Sequence, residues 1–75
     1  MHGMTRREVR EMVGARIRAV RQSKGMGFRT LSCLSDIPEL MIGRMERGAT
    51  PIRFENLFCL ARAMGVSVTT FFEDE

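Results

Sequence analysis

"SDIPELMIGRMERG", residues 35–48, carries two different local signals in fourteen residues. In its second half Met41, Ile42 and Met45 recur at the three- and four-residue intervals of one helix face. The half ends on Glu46-Arg47-Gly48, a charged last turn closed by glycine. The first half follows a different rule. Asp36 is one of the few non-glycine residue types that tolerate left-handed backbone. Pro38 suits a first helical position and pushes Ile37 towards extended geometry. The stretch therefore predicts a sharp bend at Asp36, entry at Ile37, and a helix over Pro38–Arg47.

Working outward, Thr5-Arg6-Arg7-Glu8 has the form of a capping box. Val9, Met12, Val13, Ile17 and Val20 continue at helical spacing, so a first helix runs from Thr5 to Lys24, ended by Gly25 and Gly27. A second helix over Phe28–Ser35 turns Leu31 and Leu34 inward. Thr50-Pro51 marks a loop. Phe54, Leu57, Leu60, Ala61 and Met64 line one face of a fourth helix that Gly65 closes. Ser67 caps a last short helix holding Phe71 and Phe72. No segment alternates as a strand would, and no repeat or low-complexity stretch occurs. Residues 1–75 thus read as one all-α domain of five helices, with 1–4 frayed and 73–75 an acidic tail. Two or three residues separate helices 2 and 3, as in a helix-turn-helix, though many small bundles share that pattern.

Composition narrows the function. Seventy-five residues leave room for a small core and little for a buried catalytic pocket, which favours binding over catalysis. No nucleophile–base pair and no phosphate loop is present. Cys33 and Cys59 are too far apart for a CxxC pair and form no metal set with His2, to which no role is given, so no metal or other cofactor is expected. There is no signal peptide and no apolar run near 18 residues, so no membrane partner and a reduced, cytoplasmic setting are expected. The formal charge is +3, but three of the nine acids are Glu73, Asp74 and Glu75. Eleven of the twelve basic residues are arginine, the side chain that forks onto phosphate and guanine. A nucleic-acid partner and a merely solvated basic face both fit that balance.

Residues 13–72, "VGARIRAVRQSKGMGFRTLSCLSDIPELMIGRMERGATPIRFENLFCLARAMGVSVTTFF", resemble the Xre/Cro/cI family of bacterial and phage helix-turn-helix regulators. The register of "RMERGATPIRFENLFCLARAMGVS" after "RQSKG" carries the likeness. It implies a compact lambda-repressor-like domain with the helix-turn-helix at helices 2 and 3. It also implies a structural ion pair between Arg21 and Glu46, tying helix 1 to the end of helix 3.

The departures from the family fall on the positions that the resemblance turns towards DNA. Phe28 stands where the family has a phosphate-clamping glutamine, and Arg29 beside it is a substitute clamp or a solvated side chain. Asp36 replaces the turn glycine and Pro38 the capping serine. By family position the outward face of helix 3 presents Pro38, Glu39, Leu40, Gly43, Arg44 and Arg47. Glutamate can accept from cytosine N4, leucine can touch a thymine methyl, and arginine can fork onto guanine or hold phosphate. Glu39 reads equally as a helix-dipole partner and Leu40 as a packing residue. Gly43 would allow close approach to the groove, and Arg53 before helix 4 would reach the backbone. Arg6, Arg7 and Arg10 read as a solvated face or as a source of non-specific attraction.

Phe58, Cys59, Phe71 and Phe72 are candidates for a dimer interface, with one of the two final phenylalanines packing inward. The implied function is a sequence-specific transcriptional regulator on double-stranded DNA, a homodimeric repressor on an inverted repeat, without a small-molecule ligand. The rival is a protein-interaction module on the same scaffold, supported by the apolar Phe28, Pro38 and Leu40.

Overall fold

The computed structural model describes residues 3–73, and every regular element in that range is helical. Met1 and His2, with Asp74 and Glu75 of the acidic tail, lie outside the described residues. Helix α1 spans Arg6–Ser23, α2 Phe28–Ser35, α3 Glu39–Glu46 and α4 Phe54–Met64. The fifth expected helix is a single 3-10 turn, Val68–Phe71, so the count is four α-helices and a turn. Ser67 Oγ accepts from the Thr69 amide at 3.3 Å and opens that turn, after Gly65 has ended α4.

The capping box at the head of α1 is complete. Thr5 Oγ1 accepts from the Glu8 amide at 3.1 Å, and Glu8 Oε1 accepts from the Thr5 amide at 2.8 Å. Hydrogen bonding to the carboxylate, first from the Thr5 amide and then from the Thr5 side chain, favours the charged form and holds Glu8 below its ordinary range of titration. At the other end Gly25 adopts φ +67° and turns the chain, whereas Gly27 is extended and serves as the N-cap of α2.

Between α2 and α3 the chain reverses on Asp36, which is left-handed at φ 61° and ψ 29°. Ser35 Oγ, buried, accepts from the Ile37 amide at 3.3 Å and holds the bend from inside. Pro38 is the N-cap rather than the first helical residue. Its carbonyl takes the first α3 bond, from the Ile42 amide at 3.1 Å.

The core gathers Val13 and Ile17 of α1, Leu31 of α2, Ile42 and Met45 of α3, Leu57, Leu60, Ala61 and Met64 of α4, and Phe71 of the final turn, with Ile37 at the bend. Helix α1 packs chiefly on α3, and α2 bridges α3 and α4. Three residues assigned to inward faces lie elsewhere. Leu34 is 59% exposed because α2 buries the four-apart pair Leu31 and Ser35, which rotates Leu34 outward. Phe54 is 68% exposed, since it precedes the packed stripe of α4 and meets Phe58 edge-on at 4.8 Å instead. Val9 is likewise largely exposed, one turn before α1 enters the core.

Two glycines set how closely α1 and α3 approach. A Cβ on Gly14 would collide with the Met45 carbonyl oxygen and stand 2.7 Å from that of Glu46. Gly48 closes α3 at φ +69°, and a Cβ there would lie 2.8 Å from the Glu11 backbone. Neither position has room for a side chain.

Gly14→Ala is expected to destabilise the domain by about 2–3 kcal/mol in urea unfolding, since backbone must yield. Thr5→Ala should cost about 1 kcal/mol through the lost cap. The same variant should flatten the acid limb of the stability curve. A carboxylate whose folded pKa is depressed contributes stability above its unfolded pKa, and that contribution disappears as pH falls through the folded value.

Candidate nucleic-acid interface

A buried ion pair lies behind the outward face of α3. Arg21 Nε donates to Glu46 Oε2 at 2.6 Å and Nη2 to Oε1 at 3.0 Å, a two-bond fork between the last turns of α1 and α3. Arg21 Nη1 donates to the Met26 carbonyl at 2.9 Å, which ties in the α1–α2 loop. The bonds to Glu46 hold the guanidinium above its ordinary range although burial acts the other way. The Phe28 ring covers the same guanidinium, with the charged carbon 4.2 Å from the ring centroid. Phe28 cannot donate a hydrogen bond, and one face of its ring is committed to this contact. The rest of it leaves the residue 37% exposed.

At 3.6 residues per turn, positions 39, 40, 43, 44 and 47 fall within an arc of roughly 140° on α3. Glu39, Leu40 and Arg44 are exposed there, Leu40 by 65%, with Pro38 exposed at the N-cap and Arg47 at the C-cap. Gly43 departs from the outward reading because it is buried, with Arg47 lying over it. A Cβ on Gly43 would stand 3.3 Å from Arg47 Nη1, so the gap is filled by the arginine rather than left open. Arg29 is exposed in the first turn of α2, and Arg53 is the exposed N-cap of α4. Among the described residues, Arg29, Arg44, Arg47 and Arg53 make no side-chain hydrogen bond or ion pair.

The basic residues at the head of α1 are partly engaged. Arg10 Nε donates to the Gly48 carbonyl at 3.3 Å, which pins the end of α3, and Arg7 pairs with Glu11 at 3.3 Å. Phe71, a candidate for an interface, is instead fully buried and closes the core. Arg16 Nη1 donates to its carbonyl at 3.3 Å. Phe58, Cys59 and Phe72 are exposed. Gly14 and Ser35 escaped the sequence reading. A glycine inside a helix signals only low propensity, and a serine on an apolar stripe signals nothing.

No family profile matches the chain, and neither does any curated protein. Solved structures do. The restriction-modification controller protein C.AhdI from Aeromonas hydrophila is 31% identical with a TM-score of 0.80, over 83% of this chain and 94% of that one. The clp gene regulator ClgR from C. glutamicum is also 31% identical, with a TM-score of 0.82 over 85% and 83% of the two chains. This chain belongs to the Xre-type helix-turn-helix regulators. A transcriptional regulator of the HTH_3 family from Vibrio cholerae shares the fold at a TM-score of 0.86 and 22% identity, over 91% of this chain and 38% of that one. The helix-turn-helix of this regulator is α2, the Asp36 bend and α3. No helix among its described residues is long and apolar enough to cross a membrane.

Glu46→Ala should lower stability by about 3–5 kcal/mol, because it leaves Arg21 buried without its counter-charge. Replacing both residues with methionine should recover most of that loss. Urea melts of the single and double variants decide the matter.

Proposed function

We propose that this protein is a sequence-specific DNA-binding transcriptional regulator, a repressor that acts as a homodimer on an inverted-repeat operator. The observation that carries the reading is the exposed, unpaired Arg44 on α3, in a helix-turn-helix held rigid from behind, with Arg29, Arg47 and Arg53 around it. The likeness to a restriction-modification controller and to a gene regulator supports the same reading.

In this reading α3 enters the major groove. Arg44 forks onto guanine, Leu40 meets a thymine methyl, and Glu39 accepts from cytosine N4. Pro38 starts the helix against the groove wall, and Arg29, Arg47 and Arg53 hold backbone phosphates. Exposed Phe58, Cys59 and Phe72 supply apolar surface for a two-fold dimer, which would set two α3 helices about 34 Å apart, one turn of DNA. Occupying promoter DNA is then sufficient to repress.

Selection of bound sequences from random duplex DNA tests this directly. An enriched palindrome is the expected result, and the absence of any enrichment sinks the reading. Arg44→Ala should weaken binding to the selected site by about 1–3 kcal/mol, with relaxed preference at one base position.

One observation favours a second reading, a protein-interaction module. Leu40 is among the most exposed of the large apolar side chains, and Pro38 and Phe28 are exposed as well. A salt titration separates the two. DNA recognition requires affinity that falls steeply with salt and survives competitor DNA, whereas a protein-binding face shows neither.

A further inference from the structure

We propose that the acidic end of the chain, Glu73-Asp74-Glu75, docks in cis into a groove at the head of α1 and masks Arg6. The docking stands on the groove and its charges, and only its effect on DNA rests on the DNA-binding reading.

Two adjoining depressions make the groove. The upper one is lined by Val9, Arg10, Val13, Ile52, Leu57 and Phe72. The lower one shares Val9, Arg10 and Ile52 with it and runs on to Met4, Arg6 and Pro51. Its lining is thus mostly apolar, with two guanidinium groups one helical turn apart. The fold leaves Met4 and Val9 exposed here.

The charges at the head of α1 are engaged with one exception. Glu8 accepts from the Thr5 amide, Arg7 pairs with Glu11, and Arg10 Nε donates to the Gly48 carbonyl. Arg6 is exposed and makes no hydrogen bond or ion pair among the described residues. Guanidinium groups only donate, so an occupant has to bring acceptors and negative charge to the Arg6 end and apolar surface to the rest.

The chain's own end has that chemistry and begins in the right place. Phe72 already lines the upper depression beside Arg10, and Arg16 Nη1, 3.3 Å from the Phe71 carbonyl, ties the last turn to α1. Glu73 is exposed and without a side-chain partner among the described residues, and Asp74 and Glu75 follow it in sequence. Three extended residues span about 10 Å. Arg6 stands one turn before Arg10, about 6 Å along the helix axis, which the three acids can cover. A tail docked there neutralises a cation that would otherwise attract any DNA, so it lowers affinity for unrelated sequences.

The test compares the parent chain with a variant carrying Glu73→Gln, Asp74→Asn and Glu75→Gln. Nuclear magnetic resonance of the methyl groups of Met4, Val9 and Ile52 reads the groove without DNA. These signals should differ between the two proteins, and the difference should shrink as salt releases the parent's tail. It should not change on dilution. No difference overturns the proposal, and so do changes confined to the surroundings of Arg16. A difference that fades on dilution assigns the groove to the tail of a second copy and overturns docking in cis.

Binding to a scrambled duplex is the second arm. Neutralising the tail should tighten it about two- to fivefold, the range of an exposed ion pair. In an Arg6→Gln background the same neutralisation should gain clearly less, because the cation it would free is gone. Equal gains in both backgrounds reveal simple repulsion between tail and DNA and overturn the proposal. A chain that shows the methyl differences yet binds no duplex upholds the docking and sinks the DNA-binding reading.

Discussion

One guanidinium organises this domain. Arg21 contributes two bonds to Glu46, one to the Met26 carbonyl and a stacked face to Phe28, and so joins the last turn of α1, the α1–α2 loop, the first residue of α2 and the last turn of α3. Such a pair adds little net stability over an apolar replacement, because removing two charges from water costs about as much as their attraction returns. What it imposes is register. A fork of two parallel bonds has one good geometry, and α3 can meet it at one rotation and one depth. Gly14 makes that depth reachable by letting the Met45 and Glu46 carbonyls close on α1. Arg10, bonded to the Gly48 carbonyl, secures the far side.

The outward side of the same helix has the opposite character. Ile42, Met45 and Glu46 are buried and committed, while Glu39, Leu40 and Arg44 project without partners among the described residues. Because Glu46 consumes the charge of Arg21, the positive potential outside α3 comes from the other arginines. Folding therefore leaves Arg29, Arg44, Arg47 and Arg53 without a side-chain partner among the described residues.

Much of the scaffold was legible in the sequence because local chemistry dictates it. Thr5 and Glu8 satisfy each other's amides whatever the rest of the chain does, and Asp36 can bend where few residues can. Leu34 and Phe54 were misplaced for a shared reason. Periodicity finds an apolar stripe, but which edge of it is covered depends on the angle at which a neighbouring helix arrives. Gly43 failed differently. Its burial comes from the side chain of Arg47 folding back over it, a tertiary event with no periodic trace. The positions proposed for an interface came from family likeness, whereas how they lie relative to one another was not legible, since that depends on how α1, α2 and α3 pack.

The division of labour on α3 has a consequence for how such a protein can change. Leu40, Glu39 and Arg44 are exposed, and among the described residues their side chains make no hydrogen bond or ion pair, so replacing them carries little thermodynamic penalty. A duplicated copy of this chain could drift through many combinations at these three places without passing through an unfolded ancestor. New preferences could then arise faster than new folds. Gly43 is less independent than those three. It is the outward-arc position where added bulk reaches back to the arginine packed over it, so it ties the variable surface to the fixed one.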